Sequence, residues 1–443
     1  MMDTIVAALG GTVWTVLFFV LALSVIVFVH EYGHYIVGRW SGIHSEVFSI
    51  GFGPVLFSRT DKRGTRWQVA AIPFGGYVKF LGDADASSVR PGDVSGLSAD
   101  ERRHTMAGAP LWARTATVAA GPVFNFILTF ALLTGLALVL GAPREEPTVG
   151  AMRAFPFEGP SLQEGDVIRA VEGQATPDWE TFGKVTDGLK GEATLAYTVG
   201  RGPDELVVEG PHPLAPVVGE VQIRSAAMDA GIQEGDVILK ADGKDVRYFD
   251  ELPEIVAASK GQPVTLTVWR AGKTFELSLT PRIRTVDDGK GGFTERYLLG
   301  LYSGLFFEPA TRSVGPLEAA SNAAQSMWLM TTTTFSGLKH MIQGAISSCN
   351  LSGAIGMAET AGDAARNGVE SFIGMLAILS FGVGLLNLFP IPVLDGGHLV
   401  FYAYEAVVRR HPSERALRVL MSVGLTLVLS IMIFGLSRDL LCQ

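Results

Sequence analysis

Four runs of this chain are long, apolar and uncharged: Thr12 to Val29, the stretch between Arg114 and Arg144, Ser371 to Val393, and Val419 to Leu436. In lipid hydrocarbon only a helix or a closed barrel satisfies its own backbone, and about 20 apolar residues suffice for one helical crossing. Four transmembrane helices are therefore expected. The first reaches Arg39, because apolar character resumes at Tyr35 to Val37. Met1 to Val29 holds no Lys or Arg, so the run lacks the basic leader of a signal peptide and is expected to stay attached. Charged residues make up 18% of the chain, against roughly 25% in soluble domains. A net charge of -9 offers no basic footprint for nucleic acid. The two cysteines, Cys349 and Cys442, form no paired motif and read as small packing residues.

Lysines and arginines set the orientation. Arg39, Arg59, Lys62, Arg63, Arg66, Arg102, Arg103 and Arg114 lie between the first two runs, and Arg409, Arg410, Arg415 and Arg418 between the last two. Both connections are expected to be cytoplasmic. The termini and the long segment between the second and third runs then face the opposite side.

That long segment repeats itself. Leu162 to Gln174 reads LQEGDVIRAVEGQ, and Ile232 to Lys244 reads IQEGDVILKADGK. Each copy has a turn at Glu-Gly-Asp, an apolar strand and a second turn, and the later TLAYTV at Thr194 and VTLTVWR at Val264 alternate as strands do. The copies resemble tandem PDZ domains, at 148–211 and 215–282. SAAMDAG precedes the Gly-Asp turn of the second copy much as in PDZ domains, whereas the first copy has AFPFEGPS, a departure in its peptide groove. Farther on, the polar stretch Pro316 to Gly344, with Met327, Trp328, Leu329 and Met330, reads as an amphipathic helix on the membrane surface. A fifth span there would invert everything after it.

The first apolar run ends in VIVFVHEYGHYIVGRW, Val25 to Trp40. Ionisable groups at membrane depth cost several kcal/mol, so their retention points to function. His30 and His34 stand four apart, on one face of a helix about 6 Å along its axis, close enough to share a metal ion. With Glu31 they make H-E-x-x-H, the pattern in which two histidines bind zinc and the glutamate takes a proton from water. Interfacial or capping histidines are the plainer reading. A catalytic zinc has three protein ligands, so one is missing. The third run leads into NLFPIPVLDGGH, Asn387 to His398. There Asp395 follows two prolines and precedes two glycines, a carboxylate on unwound backbone tolerated at depth only where it lines a cavity. His398 competes for the vacancy, and LDGG alone can be a turn.

HEYGH in the first run, followed by FSIGFGP, IPFGGYVKF, AAGPVFN, NLSGAIGMA and NLFPIPVLDGG, resembles the site-2 protease family of intramembrane zinc metalloproteases along essentially the whole chain. The tandem repeat narrows the resemblance to the regulator of sigma-E protease type of Gram-negative bacteria. The resemblance implies one Zn2+ held by His30, His34 and Asp395, with Glu31 as catalytic residue. It also implies cleavage of single-span membrane proteins in the inner membrane, typically an anti-sigma factor already trimmed by another protease.

The expected architecture is an α-helical membrane protein with a membrane-associated β-hairpin on the cytoplasmic side and two α+β PDZ domains. Its parts are residues 1–147 and 371–443 in the membrane, the PDZ pair, and a connecting region, 283–370, with the amphipathic helix. Arg39 marks the cytoplasmic edge, which puts the site on the order of 13 Å below it and has it open towards the cytoplasm. Val47 to Lys79 reads as two strands, VFSIGFGPVLF and WQVAAIPFGGYVKF, around TDKRG. Such a hairpin could add a substrate strand at its edge and replace the hydrogen bonds a substrate helix must lose. Asn125 and Asn387 are read as substrate-binding, with a helix-to-helix hydrogen bond as the alternative. The PDZ pair would exclude substrates with bulky domains, or recruit a C-terminal peptide to a PDZ groove. A noncatalytic PDZ scaffold and a metal transporter are the rival functions.

Overall fold

The computed structural model describes residues 2–83, 98–156, 162–222, 224–287, 293–346 and 352–441. Cys349, Cys442, the FEGPS part of AFPFEGPS and the opening Asn350–Leu351 of NLSGAIGMA lie outside the described residues. The chain forms two compact units: Met1–Leu136, Ala319–Thr331 and Leu351–Gln443 make the first, and Ala137–Glu318 with Thr332–Asn350 the second.

In the first unit, Gly11–Trp40, Leu111–Leu140, Val369–Asn387 and Arg415–Leu441 are long and apolar enough to cross a membrane. Their apolar side chains face outward over much of their length, as lipid rather than a water-excluded core requires. Small residues bring the first two together. A Cβ on Gly33 would lie 2.5 Å from the Ala120 carbonyl oxygen, so the backbones meet where HEYGH and AAGP face each other. The third span meets the second through Ser380, whose hydroxyl donates to the Asn125 carbonyl at 3.0 Å, and through Thr129, which donates to the Ala377 carbonyl at 3.1 Å.

The hairpin is formed by Ser45–Thr60 and Arg66–Phe80. Asp61 makes the turn: its Oδ1 accepts from the backbone N–H groups of Arg63 and Thr65 at 2.8 and 3.1 Å. Val47 to Ile50 pair on both sides, with Gly76–Lys79 and with Arg66–Val69. This leaves the strand Gly76–Phe80 at one border of the sheet. Phe48, Val78 and Phe80 pack with Tyr35, Ile43, Met106, Ala113 and Val118 in one core, which fixes the hairpin against the first two spans. On its first strand Leu56 and Phe57 are 71% and 65% exposed, a clustering of apolar surface suited to lipid.

In the second unit the repeat recurs as structure. Asp166 and Asp236, the acids of the two Glu-Gly-Asp turns, are buried; Arg201 grips one through Nε and Nη2 at 2.7 and 2.8 Å, and Arg270 grips the other at 2.6 Å through both. Burial alone would raise the Asp166 carboxyl, but the Arg201 guanidinium and the Gln163 N–H hold it below the ordinary carboxylate range. The first copy builds a sheet of Val167–Val171, Gln174–Ala175, Thr194–Arg201 and Asp204–Pro211. The second builds one from Val217–Val221, Val237–Ala241, Val264–Arg270 and Lys273–Leu279.

Residues 283–370, expected as a connector, hold more than a helix. Arg282–Asp287 and Phe293–Leu298 form a hairpin, Leu301–Gly304 extends the second sheet beside Val217–Val221, and Phe307–Pro309 pairs with Val149–Met152. Short strands completed by a partner far along the chain leave little local pattern to read. The surface-helix stretch does form one helix, Pro316–Ile342, and it is not among the four membrane-length apolar ones found among the described residues.

Candidate metal centre

The first helix continues through HEYGH, so His30 and His34 project from one face with their rings 4.8 Å apart. The backbone after the third span unwinds over Leu388–Leu394 and re-enters a helix, Asp395–Val408, whose first residue is Asp395. The unwound part is therefore the run before the aspartate. The two glycines of LDGG let the new helix fold tightly against the turn: a Cβ on Gly396 would lie 2.2 Å from the Phe389 carbonyl oxygen, and one on Gly397 2.3 Å from that of Ile391.

This brings Asp395 Oδ2 to 3.1 Å from His30 Nε2 and 3.6 Å from His34 Nε2, with the two imidazole nitrogens 3.2 Å apart. One ligand atom from each residue lies within 4.8 Å of the others, and His398 is outside the group. The outer nitrogens are held. His34 Nδ1 donates to the Thr117 carbonyl at 2.8 Å, which leaves Nε2 with a lone pair. His30 Nδ1 lies 3.1 Å from the Asn125 side-chain amide, whose Oδ1 is buried without a hydrogen-bond partner. Turned so that Oδ1 accepts from Nδ1–H, the amide frees Nε2 of His30 as well. Asp395 Oδ2 is likewise buried without a hydrogen-bond donor. Three acceptors converging on one point, none with a proton to share, fit a small cation and little else.

Glu31 shares a cavity of about 190 Å³ with the triad, bordered by Gly76, Tyr77 and Val78 of the hairpin and by Asn387, His398 and Tyr402. Gly76 is a close approach: a Cβ there would come within 3.2 Å of Glu31 Cγ and 2.7 Å of the Ser49 carbonyl oxygen. Asn387 lines the cavity with its amide donating to the Val383 carbonyl at 3.0 Å. Asn125, expected to hold substrate, is wholly buried, and the contact its amide makes is with His30.

Gly121 and Thr117 carry no signal in the sequence that marks them as part of the site. A Cβ on Gly121 would lie 2.3 Å from His34 Nε2 and 2.8 Å from His30 Cε1, so this position must be bare for both rings to stand where they do. Arg114, read only as a boundary charge, is buried and forks onto Glu405 of the Asp395 helix at 3.0 and 2.7 Å, with Tyr402 beneath its guanidinium at 5.2 Å. The pair ties the helix carrying Asp395 to the second span. Replacing Gly121 with Ala is expected to displace both imidazoles, strip bound metal and lower turnover on the order of 100-fold. Gly135→Ala, where a Cβ meets nothing within 4 Å, is the control and should leave metal content and turnover unchanged.

Four membrane-length helices, with two histidines and a glutamate on the first of them and the Asp395 carboxylate from the short helix Asp395–Val408 in one cavity, define a membrane protein with a metal-competent hydrolytic site. Comparison with known proteins gives the family. Residues 18–431 match peptidase family M50. A protein of Agrobacterium fabrum whose name places it among zinc metalloproteases is 36% identical over 446 residues, covering 99% of each chain. The regulator of sigma-E protease RseP of Salmonella typhimurium is 33% identical over 458 residues, covering 96% of this chain and 98% of the relative. The chain belongs to peptidase family M50, the site-2 protease family, and is a metalloendopeptidase of the membrane.

Proposed function

We propose that this chain is a zinc-dependent intramembrane endopeptidase that cuts single-span membrane proteins, with His30, His34 and Asp395 as metal ligands and Glu31 as general base. The observation that carries this is the convergence of three proton-free acceptors beside Glu31 in one cavity. Zinc bound there would polarise the scissile carbonyl and make water acidic enough to lose a proton near neutral pH. Glu31 takes that proton and returns it to the leaving amine. Thr117 and Asn125 fix the ring orientations, which makes them positioning residues. The edge Gly76–Phe80, bordering the same cavity, offers backbone groups to an unwound substrate, with Asn387 beside it.

The two repeats are assigned as PDZ domains on the periplasmic side of the inner membrane, the site opens towards the cytoplasm, and Pro316–Ile342 lies on the membrane surface. The natural substrate class is a trimmed anti-sigma factor. Metal analysis of the purified chain, paired with cleavage of a single-span substrate, tests the proposal. The expected result is one zinc per chain, with cleavage lost to a chelator and restored by zinc. A chain that binds its partners without metal and without cutting them is a PDZ scaffold, and metal flux without cleavage indicates a transporter.

A further inference from the structure

A second cavity, of about 430 Å³, opens where the first helix ends, and Arg39, His44, Ser45, Arg63, Thr65 and His104 line it. Its polar groups divide into those already engaged and those that are not. Arg39 Nη1 donates to the Tyr35 hydroxyl at 3.0 Å, which leaves the rest of its fork. His104 Nδ1 donates to the Gly42 carbonyl at 2.6 Å, and Thr65 Oγ1 to the Ser45 carbonyl at 2.8 Å. Glu101, the one acid among the described residues of the lining, is turned to its own helix cap, where its carboxylate accepts from the Ser98 N–H and hydroxyl at 2.9 and 2.8 Å.

Two guanidinium groups and two imidazoles around one hollow suit a compact oxyanion with several acceptor oxygens, and planar arginine forks match phosphate in particular. The surroundings favour one source of it. Trp40, 73% exposed, follows Arg39 directly, and an exposed tryptophan at the end of a membrane helix sits at headgroup level. Basic residues at that level gather anionic lipid. We propose that this cavity binds the phosphate of an anionic phospholipid headgroup. It is separate from the metal centre and independent of the proteolytic reading.

The test uses the purified full chain in detergent, with phosphatidylglycerol and phosphatidylcholine as probes and retained lipid measured by mass spectrometry. Wild type should retain phosphatidylglycerol and not phosphatidylcholine. Arg63→Gln, at an exposed side chain that leaves the fold untouched, should lose about fivefold in retention, and Arg39→Gln combined with it about fivefold more. Millimolar inorganic phosphate should displace the lipid from wild type. Equal retention of both lipids, or full retention by both variants, overturns the proposal. If inorganic phosphate stabilises the protein against heat and phosphatidylglycerol does not, the free ion is the ligand and the lipid assignment fails.

Discussion

Glu31→Gln should bind zinc as wild type does and cut nothing measurable. The substitution keeps shape and hydrogen-bonding reach, and the three ligand atoms at His30, His34 and Asp395 are untouched. The group proposed to accept the proton is gone. General-base loss ordinarily costs about 10²- to 10⁴-fold. Turnover of a single-span substrate and metal stoichiometry, measured on one preparation, check it. Loss of zinc in this variant would make Glu31 a ligand and sink its assignment as base.

Asp395→Asn should do the reverse and empty the site. The carboxylate supplies the one negative charge in the triad and lies 3.1 Å from His30 Nε2; an amide in its place offers a weaker oxygen and no charge. Zinc affinity should fall beyond the 10- to 100-fold typical of removing an outer partner. His398→Asn, at a residue that lines the cavity outside the ligand group, should hold zinc near the wild-type level. Titration with a competing chelator ranks the two, and the opposite ranking would move the third-ligand role to His398.

How much of this could be read from the sequence depends on how local each signal is. HEYGH announced itself because helical spacing alone puts both histidines on one face. Asp395 could be suspected from its prolines and glycines, with His398 as the other candidate; its position 3.1 Å from His30 Nε2 comes from the helix Asp395–Val408, which no local pattern orients. Gly121 could not be weighed, because a glycine in an apolar helix looks the same whether it faces lipid or two imidazoles. Asn125 was visible as a polar residue in a span, but its partner His30 lies on another helix and no pattern links them. The Arg114–Glu405 pair was hidden for the same reason. In the second unit the repeated turns were plain, while the strands that complete the sheets were too short to stand out.

Those late strands have a consequence for the order in which the protein is made. Val149 must wait for Pro309, and Val221 for Leu301, before either pairing can close. During synthesis both repeats therefore emerge with an open sheet border, and neither can reach its final pairing until the ribosome has passed the second. Pairings that span so much chain close slowly, and an unpaired border is the surface on which chains associate wrongly. The interval between the emergence of Val149 and that of Pro309 is thus when this border stands open to wrong pairing. A nascent chain stalled before Leu301 should be far more sensitive to protease than one stalled after Arg312.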